Sequence, residues 1–167
     1  MKLADQITSE LIKEVRRRLN EESMSRIEKC LSRLTDEQIW WRPNGESNSI
    51  GNLILHLSGN VRQWIISGIG GQIDTRQRNT EFEARGKMSK DDLWGVLAVT
   101  MTEIESVLDG ITASQLVVQQ PVQVYTESVL SILIHVTEHF SYHTGQIAWI
   151  TKMLTDRQLG FYEGIEL

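Results

Sequence analysis

Three of the four histidines of this chain lie in one short segment, residues 135–146, at His135, His139 and His143. In an α-helix, residues four apart lie one turn apart on the same face. Apolar residues around the histidines repeat with helical period over 127–154 and fall on the same side as the imidazoles. We therefore expect the three imidazoles on the buried face of a long helix, where polar groups need partners.

Two imidazoles four residues apart on a helix can bind one divalent metal ion. The fourth histidine, His56, lies on another predicted core-facing helix, which favours a metal site over a hydrogen-bonded polar core. Helical position alone does not choose between the pairs His135/His139 and His139/His143. A di-iron carboxylate site requires Glu three residues before His on two helices, and none of these histidines has it. We expect a single metal ion held by imidazoles.

Composition predicts one domain over residues 1–167, with a core of ordinary size for a water-soluble protein. The formal net charge is -5 and no basic patch is evident, so a nucleic-acid partner is not expected. No apolar run is long enough to span a bilayer, and the first residues lack the hydrophobic core of a signal peptide. The single Cys30 cannot form an internal disulfide, which fits a cytoplasmic location.

Apolar periodicity and capping residues predict four helices. They are 3–34, bent near Asn20; 50–67, capped by Ser49; Ser89 to Asp109; and 127–154. Together they predict an all-α fold, a four-helix bundle with long connecting loops, in which sites form between facing helices. The adjacent Trp40 and Trp41 are interpreted as packing residues, with a role for one of them in the wall of a cavity as the alternative.

The connections are less regular. Residues 68–87 are polar without a regular pattern, as in active-site lids or disordered loops. Arg76 or Arg78 in this stretch could hold an anionic group of a substrate, although mixed charges most often form a solvated surface. The Val-rich residues 122–125 could form a lone strand, and the tail from 155 onward is expected to be irregular.

Two blocks resemble the DinB-like, or YfiT-like, metalloenzyme family. They are Ser-Ile-Gly-Asn-Leu-Ile-Leu-His-Leu-Ser-Gly-Asn at 49–60 and His-Val-Thr-Glu-His-Phe-Ser-Tyr-His-Thr-Gly-Gln-Ile at 135–147. The order of the predicted helices also fits, so the resemblance covers nearly the whole chain. It implies that His56, His139 and His143 are the metal ligands. His135 would be an inner neighbour of the metal and not a ligand.

Three imidazole ligands leave a tetrahedral metal ion one open position, as in catalytic zinc sites. We expect Zn²⁺, with Ni²⁺ or Fe²⁺ as alternatives, because imidazole suits all three. Gln146 could position a ligand on the metal. Asn60, Tyr142 and Glu138 are further candidate residues around it, with Glu138 a candidate general base.

The resemblance implies metal-activated nucleophile chemistry on a small molecule. Thiol-dependent S-transfer, with a low-molecular-weight thiol as co-substrate, is the first expectation, and metal-dependent hydrolysis is the second. A non-catalytic metal-binding, stress-associated protein and an interaction module are the alternatives from other functional classes. A homodimer is expected by analogy with relatives.

Overall fold

Helices account for most of residues 2–164, which the computed structural model of the chain describes. The α-helices are α1 (Leu3–Arg16), α2 (Ser25–Leu31), α3 (Asp36–Ile39), α4 (Ile50–Val61), α5 (Arg78–Glu83), α6 (Lys90–Asp109) and α7 (Val129–Thr155). Further elements are π-helical stretches at Arg17–Met24 and Arg62–Ser67, a 3-10 turn at Gln115–Val117, and strands β1 (Gln119–Val122) and β2 (Tyr125–Ser128). Each of the four predicted helices is found.

The first helical run is continuous from Leu3 to Leu31, because α1 passes through a π-helical stretch directly into α2. This stretch contains Asn20, the position at which the sequence predicts a bend. π-helical turns interrupt the regular hydrogen-bond ladder, so they are a recognised cause of bending. The helical run ends at Leu31, three residues before the predicted end at residue 34, and Ser32 is its C-cap.

Helix α4 begins as the sequence predicts, at a capping box in which the Ser49 hydroxyl accepts a hydrogen bond from the Asn52 backbone N–H. Its buried side packs against α6 and α7. Trp40 packs against the same helix, since a Cβ at Gly51 would lie 2.8 Å from the Trp40 ring. The Trp40 indole N–H donates to the Met88 carbonyl at 2.8 Å, so the packing interpretation holds for this residue.

Helix α7 is 27 residues long and starts at a Ser128 cap. Its buried face, which includes Ile132, Val136, Phe140 and Ile147, contacts α2, α4 and the first π-helical stretch. Within residues 2–164 no helix combines the length and the apolar character that a membrane span needs.

The expectation of a lone strand at 122–125 is wrong, and the all-α expectation is corrected with it. β1 and β2 form an antiparallel hairpin in which Val122 pairs with Tyr125, so the supposed strand contains the turn. Gln123 occupies this turn with a φ of 54°. Glycine usually fills such a position. Because glutamine stands there in this chain, the sequence carries no turn signal.

The expectation that 68–87 lacks regular structure is also wrong. The stretch contains α5, and two polar side chains fasten that helix to the body of the protein. Asn52 Nδ2 donates to the Glu81 carbonyl at 2.7 Å, and Arg42 Nη2 donates to the Phe82 carbonyl at 2.9 Å.

The predicted irregular tail contains turns but no helix or strand from Asp156 to Gly164, and its final three residues lie outside the described part of the chain.

Candidate metal centre

Three imidazole nitrogens converge between α4 and α7. His56 Nε2 lies 3.0 Å from His139 Nε2, and His143 Nε2 lies 3.2 Å from the same atom. The three potential ligand atoms all lie within 4.8 Å of one another. Tetrahedral coordination at a zinc–nitrogen distance of about 2.0–2.1 Å places ligand nitrogens about 3.3 Å apart. The spacing to His139 is close to this value.

The other nitrogen of two of these rings faces an oxygen acceptor. His56 Nδ1 lies 2.9 Å from Glu81 Oε2, and His143 Nδ1 lies 2.6 Å from Gln146 Oε1. A neutral imidazole carries one hydrogen, and a ring that has it on Nδ1 can donate it to the facing oxygen. In that tautomer the Nε2 lone pairs of His56 and His143 are free to face His139.

Hydrogen bonds alone cannot satisfy this arrangement. A neutral His139 has at most one hydrogen on Nε2, so it can donate to His56 or to His143 but not to both. Its own Nδ1 is buried and has no hydrogen-bond partner within residues 2–164. A single cation accepts lone pairs from all three Nε2 atoms, so the residues present fit a metal ion.

Burial favours the neutral form of His139 and His143. The pKa of His139 is lowered from its ordinary value of 6.5 to about 3, mainly by burial and in addition by repulsion from neighbouring groups such as His143. Burial also lowers the pKa of His143 and outweighs the opposing hydrogen bond with Gln146. Neutral imidazole is the form that binds metal ions.

Glu81 is held by Arg76 as well as by His56. Arg76 Nε donates to Glu81 Oε1 at 2.7 Å and Nη2 donates to Oε2 at 2.9 Å. Burial alone would raise the pKa of Glu81, but the hydrogen bonds from Arg76 and His56 outweigh it and lower this pKa. The carboxylate is therefore an anion. Arg76 Nη2 also lies 3.1 Å from His56 Nδ1, but that nitrogen already uses its hydrogen toward Glu81.

His135 lies outside the group of converging nitrogens. Its ring stacks on Trp64 with centroids 3.8 Å apart, and its Nε2 lies 3.4 Å from Asn60 Nδ2. Burial lowers the pKa of His135, against the opposing influence of Glu138 and Glu127.

The other sequence candidates divide into buried and exposed residues. Asn60 is buried beside His135, whereas Glu138 and Tyr142 are exposed. Gln146 uses its carbonyl oxygen on His143 and its amide on the Tyr142 hydroxyl, 3.2 Å away. Glu138 makes no hydrogen bond to a histidine among the described residues, so the structure does not bring it to the site as a base.

A cavity of about 340 Å³ adjoins the histidines. The residues that line it are His56, Asn60, Trp64, Arg76, Arg78, Gln123, Tyr125, Glu127, His135 and His139. Two polar atoms of this lining, Asn60 Oδ1 and Trp64 Nε1, are buried without a hydrogen-bond partner in the part of the chain that the structure describes.

The two arginines of the lining differ in their contacts. Arg78 lies over the Phe82 ring at 4.9 Å, while Arg76 is hydrogen-bonded to Glu81. A larger cavity, beside Trp40 and Trp41, is not lined by these histidines.

Sequence reasoning missed Glu81, because nothing in the charged stretch around it marks one acidic residue above another. A signal was present at Gly59, a glycine inside a predicted helix and three residues after His56. Glycine inside a helix often marks a close approach of another group. A Cβ at Gly59 would lie 2.1 Å from Glu81 Oε1, so the glycine leaves room for this carboxylate.

The fold and the histidine cluster together define a mostly helical, DinB-like protein whose three imidazoles could bind a metal ion. A DinB-like protein from Bacillus cereus ATCC 10987 has a similar structure, with a TM-score of 0.64 and 16% identity over 80% of this chain and 87% of that one. A conserved protein from Enterococcus faecalis is similar with a TM-score of 0.67 and 17% identity, over 94% of this chain and 99% of that one. At these identities the likeness concerns the fold.

Residues 6–162 match the family model described as "Protein of unknown function (DUF1572)". The chain belongs to this family, which is DinB/YfiT-like, and the resemblance stated from the two sequence blocks is confirmed. A search of curated protein sequences finds no match.

Proposed function

We propose that His56, His139 and His143 hold one divalent transition metal ion and that the chain is a metal-dependent enzyme acting on a small molecule. The observation that carries this proposal is the convergence of three imidazole Nε2 atoms that hydrogen bonds cannot all satisfy. Zn²⁺ is the first choice, and Ni²⁺ or Fe²⁺ suit the same donors. We also propose that the four long helical runs form a four-helix bundle and that the chain is one domain.

A metal ion held by His56, His139 and His143 would keep an open position and would lower the pKa of a thiol or a water molecule bound there. The residues of this chain prepare that position. Glu81 and Gln146 hold the hydrogens of His56 and His143 on Nδ1, so both Nε2 lone pairs point inward. His139 and His143 stand one turn apart on α7, whose buried neighbours fix their direction.

Thiol-dependent S-transfer is the reaction we place first. The cavity of about 340 Å³ beside His56 and His139 is within the size range of small-molecule sites. It would admit a low-molecular-weight thiol together with part of a second substrate. Its lining of amide, indole and guanidinium groups suits polar molecules. Hydrolysis would use the same open position with water in place of the thiol.

Cobalt substitution tests this proposal, since Co²⁺ occupies similar sites and its spectrum reports the ligands. We expect one Co²⁺ per chain and a new sulfur-to-metal band when 2-mercaptoethanol is added. Ethylene glycol, which has a hydroxyl in place of the thiol, is the matched control and should leave the spectrum unchanged. A spectrum insensitive to thiols and small anions, with a fold lost on chelation, would instead indicate a closed structural site.

Arg78 is proposed to bind an anionic group of the molecule that enters the cavity. Arg78 lines the cavity. Its guanidinium group lies over the Phe82 ring and forms no salt bridge with a carboxylate among the described residues. Arg78→Ala should weaken binding of 3-mercaptopropionate to the cobalt protein about 2- to 5-fold, as expected for a partly exposed charge pair. Binding of neutral 2-mercaptoethanol should not change. Equal effects on both thiols would contradict this role.

A further inference from the structure

Glu81 combines an unusual position with unusual burial. It belongs to the connecting segment, defined here as residues 72–87, and most of this segment is exposed. Glu81 itself is only 7% exposed, and its two carboxylate oxygens accept hydrogen bonds from Arg76 and His56. A buried carboxylate is costly unless it is paired and hydrogen-bonded. The connecting segment therefore places a fully engaged anion directly behind one of the converging imidazoles.

Helix α4 is shaped to receive this carboxylate. Beside His56, Gly59 presents no side chain, and a Cβ there would lie 2.1 Å from Glu81 Oε1 and 2.9 Å from Arg76 Nε. One turn before His56, the Asn52 amide donates to the backbone carbonyls of Glu81 and Ala84 at 2.7 and 3.1 Å. The attachments of the connecting segment to α4 are thus concentrated around His56.

We propose that Glu81 is a positioning residue that couples the connecting segment to metal binding. This inference rests on the proposed metal site. Through Glu81, closure of the connecting segment over α4 and binding of a metal ion at His56 stabilise each other, and this coupling is reciprocal.

The physical basis is the tautomer of His56. In the metal-free protein, His56 can carry its hydrogen on Nε2 and donate to His139, 3.0 Å away. Its Nδ1 would then present a lone pair to the Glu81 carboxylate, so the His56–Glu81 hydrogen bond would be lost and only Arg76 Nη2, 3.1 Å away, could donate to that nitrogen. Metal binding at Nε2 requires the other tautomer, whose Nδ1–H donates to Glu81. A metal ion at Nε2 therefore selects the His56 tautomer that donates a hydrogen bond to Glu81. In return, the Glu81 carboxylate stabilises the tautomer of His56 that can bind the metal ion.

The main test compares Glu81→Gln with Glu83→Gln, which removes a carboxylate from an exposed position on the same short helix. Zinc affinity is measured by competition with a chelating dye, and hydrogen exchange of residues 72–87 is measured with and without zinc. We expect Glu81→Gln to lower zinc affinity about 10- to 100-fold, as for other groups that orient metal-binding histidines. Zinc should slow exchange of the connecting segment in the wild type and Glu83→Gln, but not in Glu81→Gln.

A second variant displaces the carboxylate without changing any polar group. Gly59→Ala puts a methyl group where Glu81 Oε1 lies, while alanine itself favours a helix. We expect the same loss of zinc affinity and of zinc-dependent protection. Gly145→Ala on α7 is the matched control, because a Cβ there meets no described atom within 4 Å apart from its chain neighbours and the adjoining α7 backbone. If Glu81→Gln fails to fold, Gly59→Ala decides the question.

The outcomes separate the two proposals. Absence of zinc binding in the wild type would overturn the proposed function and this inference with it. Zinc binding that is lost in His139→Ala but is the same in Glu81→Gln and Glu83→Gln would leave the metal site intact and overturn the coupling alone. Equal zinc-dependent protection of the connecting segment in Glu81→Gln and wild type would also overturn it.

Discussion

The two flanks of His139 differ in how their polar atoms are satisfied. On the paired flank, the Nδ1 atoms of His56 and His143 each have an oxygen acceptor, in Glu81 and Gln146. On the cavity flank, which contains His135, Asn60 and Trp64, two buried polar atoms have no hydrogen-bond partner within residues 2–164. We infer that the paired flank orients the proposed metal ligands and that the cavity flank binds the incoming molecule.

The energetic contrast supports this division. A buried polar atom that loses its partner costs about 1–3 kcal/mol, so native proteins leave few of them. Such costs are tolerated mainly where function needs them. The unpaired atoms of Asn60 and Trp64 both belong to the cavity lining, and the fully engaged Glu81 lies on the opposite flank.

The largest expected difference between the flanks is in metal binding. His143→Ala removes one of the three converging nitrogens, and we expect it to abolish stoichiometric zinc binding. His135→Ala removes an imidazole of the same helix from the cavity flank and should leave the zinc stoichiometry at its wild-type value. Equilibrium dialysis followed by metal analysis measures both. Retention of zinc by His143→Ala together with its loss from His135→Ala would reverse the assignment of the flanks.

The second-largest expected difference is in the free energy of unfolding, and substitution of the two buried asparagines of α4 reveals it. Asn52 accepts from Ser49 and donates to the backbone of the connecting segment, so Asn52→Leu should lower the free energy of unfolding by about 3 kcal/mol. Asn60 has a long contact to His135 and an unpaired oxygen among the described residues. Asn60→Leu should therefore be neutral or stabilising by about 1 kcal/mol.

Urea unfolding of the metal-free variants measures both changes, with unchanged m-values showing that two-state behaviour is kept. A loss of stability in Asn60→Leu as large as that in Asn52→Leu would show that the cavity flank is as well satisfied as the paired flank. That result would contradict the contrast between them.

The smallest expected effect is in the pH dependence of stability. The pKa of His139 is about 3 in the folded chain and 6.5 ordinarily, so the unfolded chain binds more protons between these values. The free energy of unfolding of the metal-free protein should therefore fall as the pH is lowered below 6.5. The fall between about pH 7.5 and about pH 5 should be smaller in His139→Ala than in the wild type. Parallel curves would contradict burial of a neutral His139.

The shared face of His135, His139 and His143 on α7 was predictable from the sequence because helical geometry places residues four apart on one face. Periodicity put His139 and His143 on the buried side of α7, and it put His56 on the buried side of α4. It could not separate His135 from His143, since both lie one turn from His139. The difference comes from the positions of α4, which brings His56 beside His143, and of the π-helical stretch Arg62–Ser67 that follows it, which brings Trp64 over His135.

Other features depend on contacts that the local sequence does not encode. Glu81 and Glu83 are two residues apart in the same charged stretch, and only tertiary packing buries one and exposes the other. The hairpin escaped prediction because Gln123 occupies a turn position that glycine usually fills. The helices themselves were found because capping and apolar period agree along each of them.

The central claim is tested most directly by the metal content of protein purified without a histidine tag, for the wild type and His139→Ala. His139 is the residue whose Nε2 lies within reach of both other nitrogens. We expect about one tightly held divalent metal ion per wild-type chain and none in the variant, as for a mononuclear site. A wild-type chain that holds no metal even after reconstitution, or a variant that holds as much as the wild type, would contradict the claim.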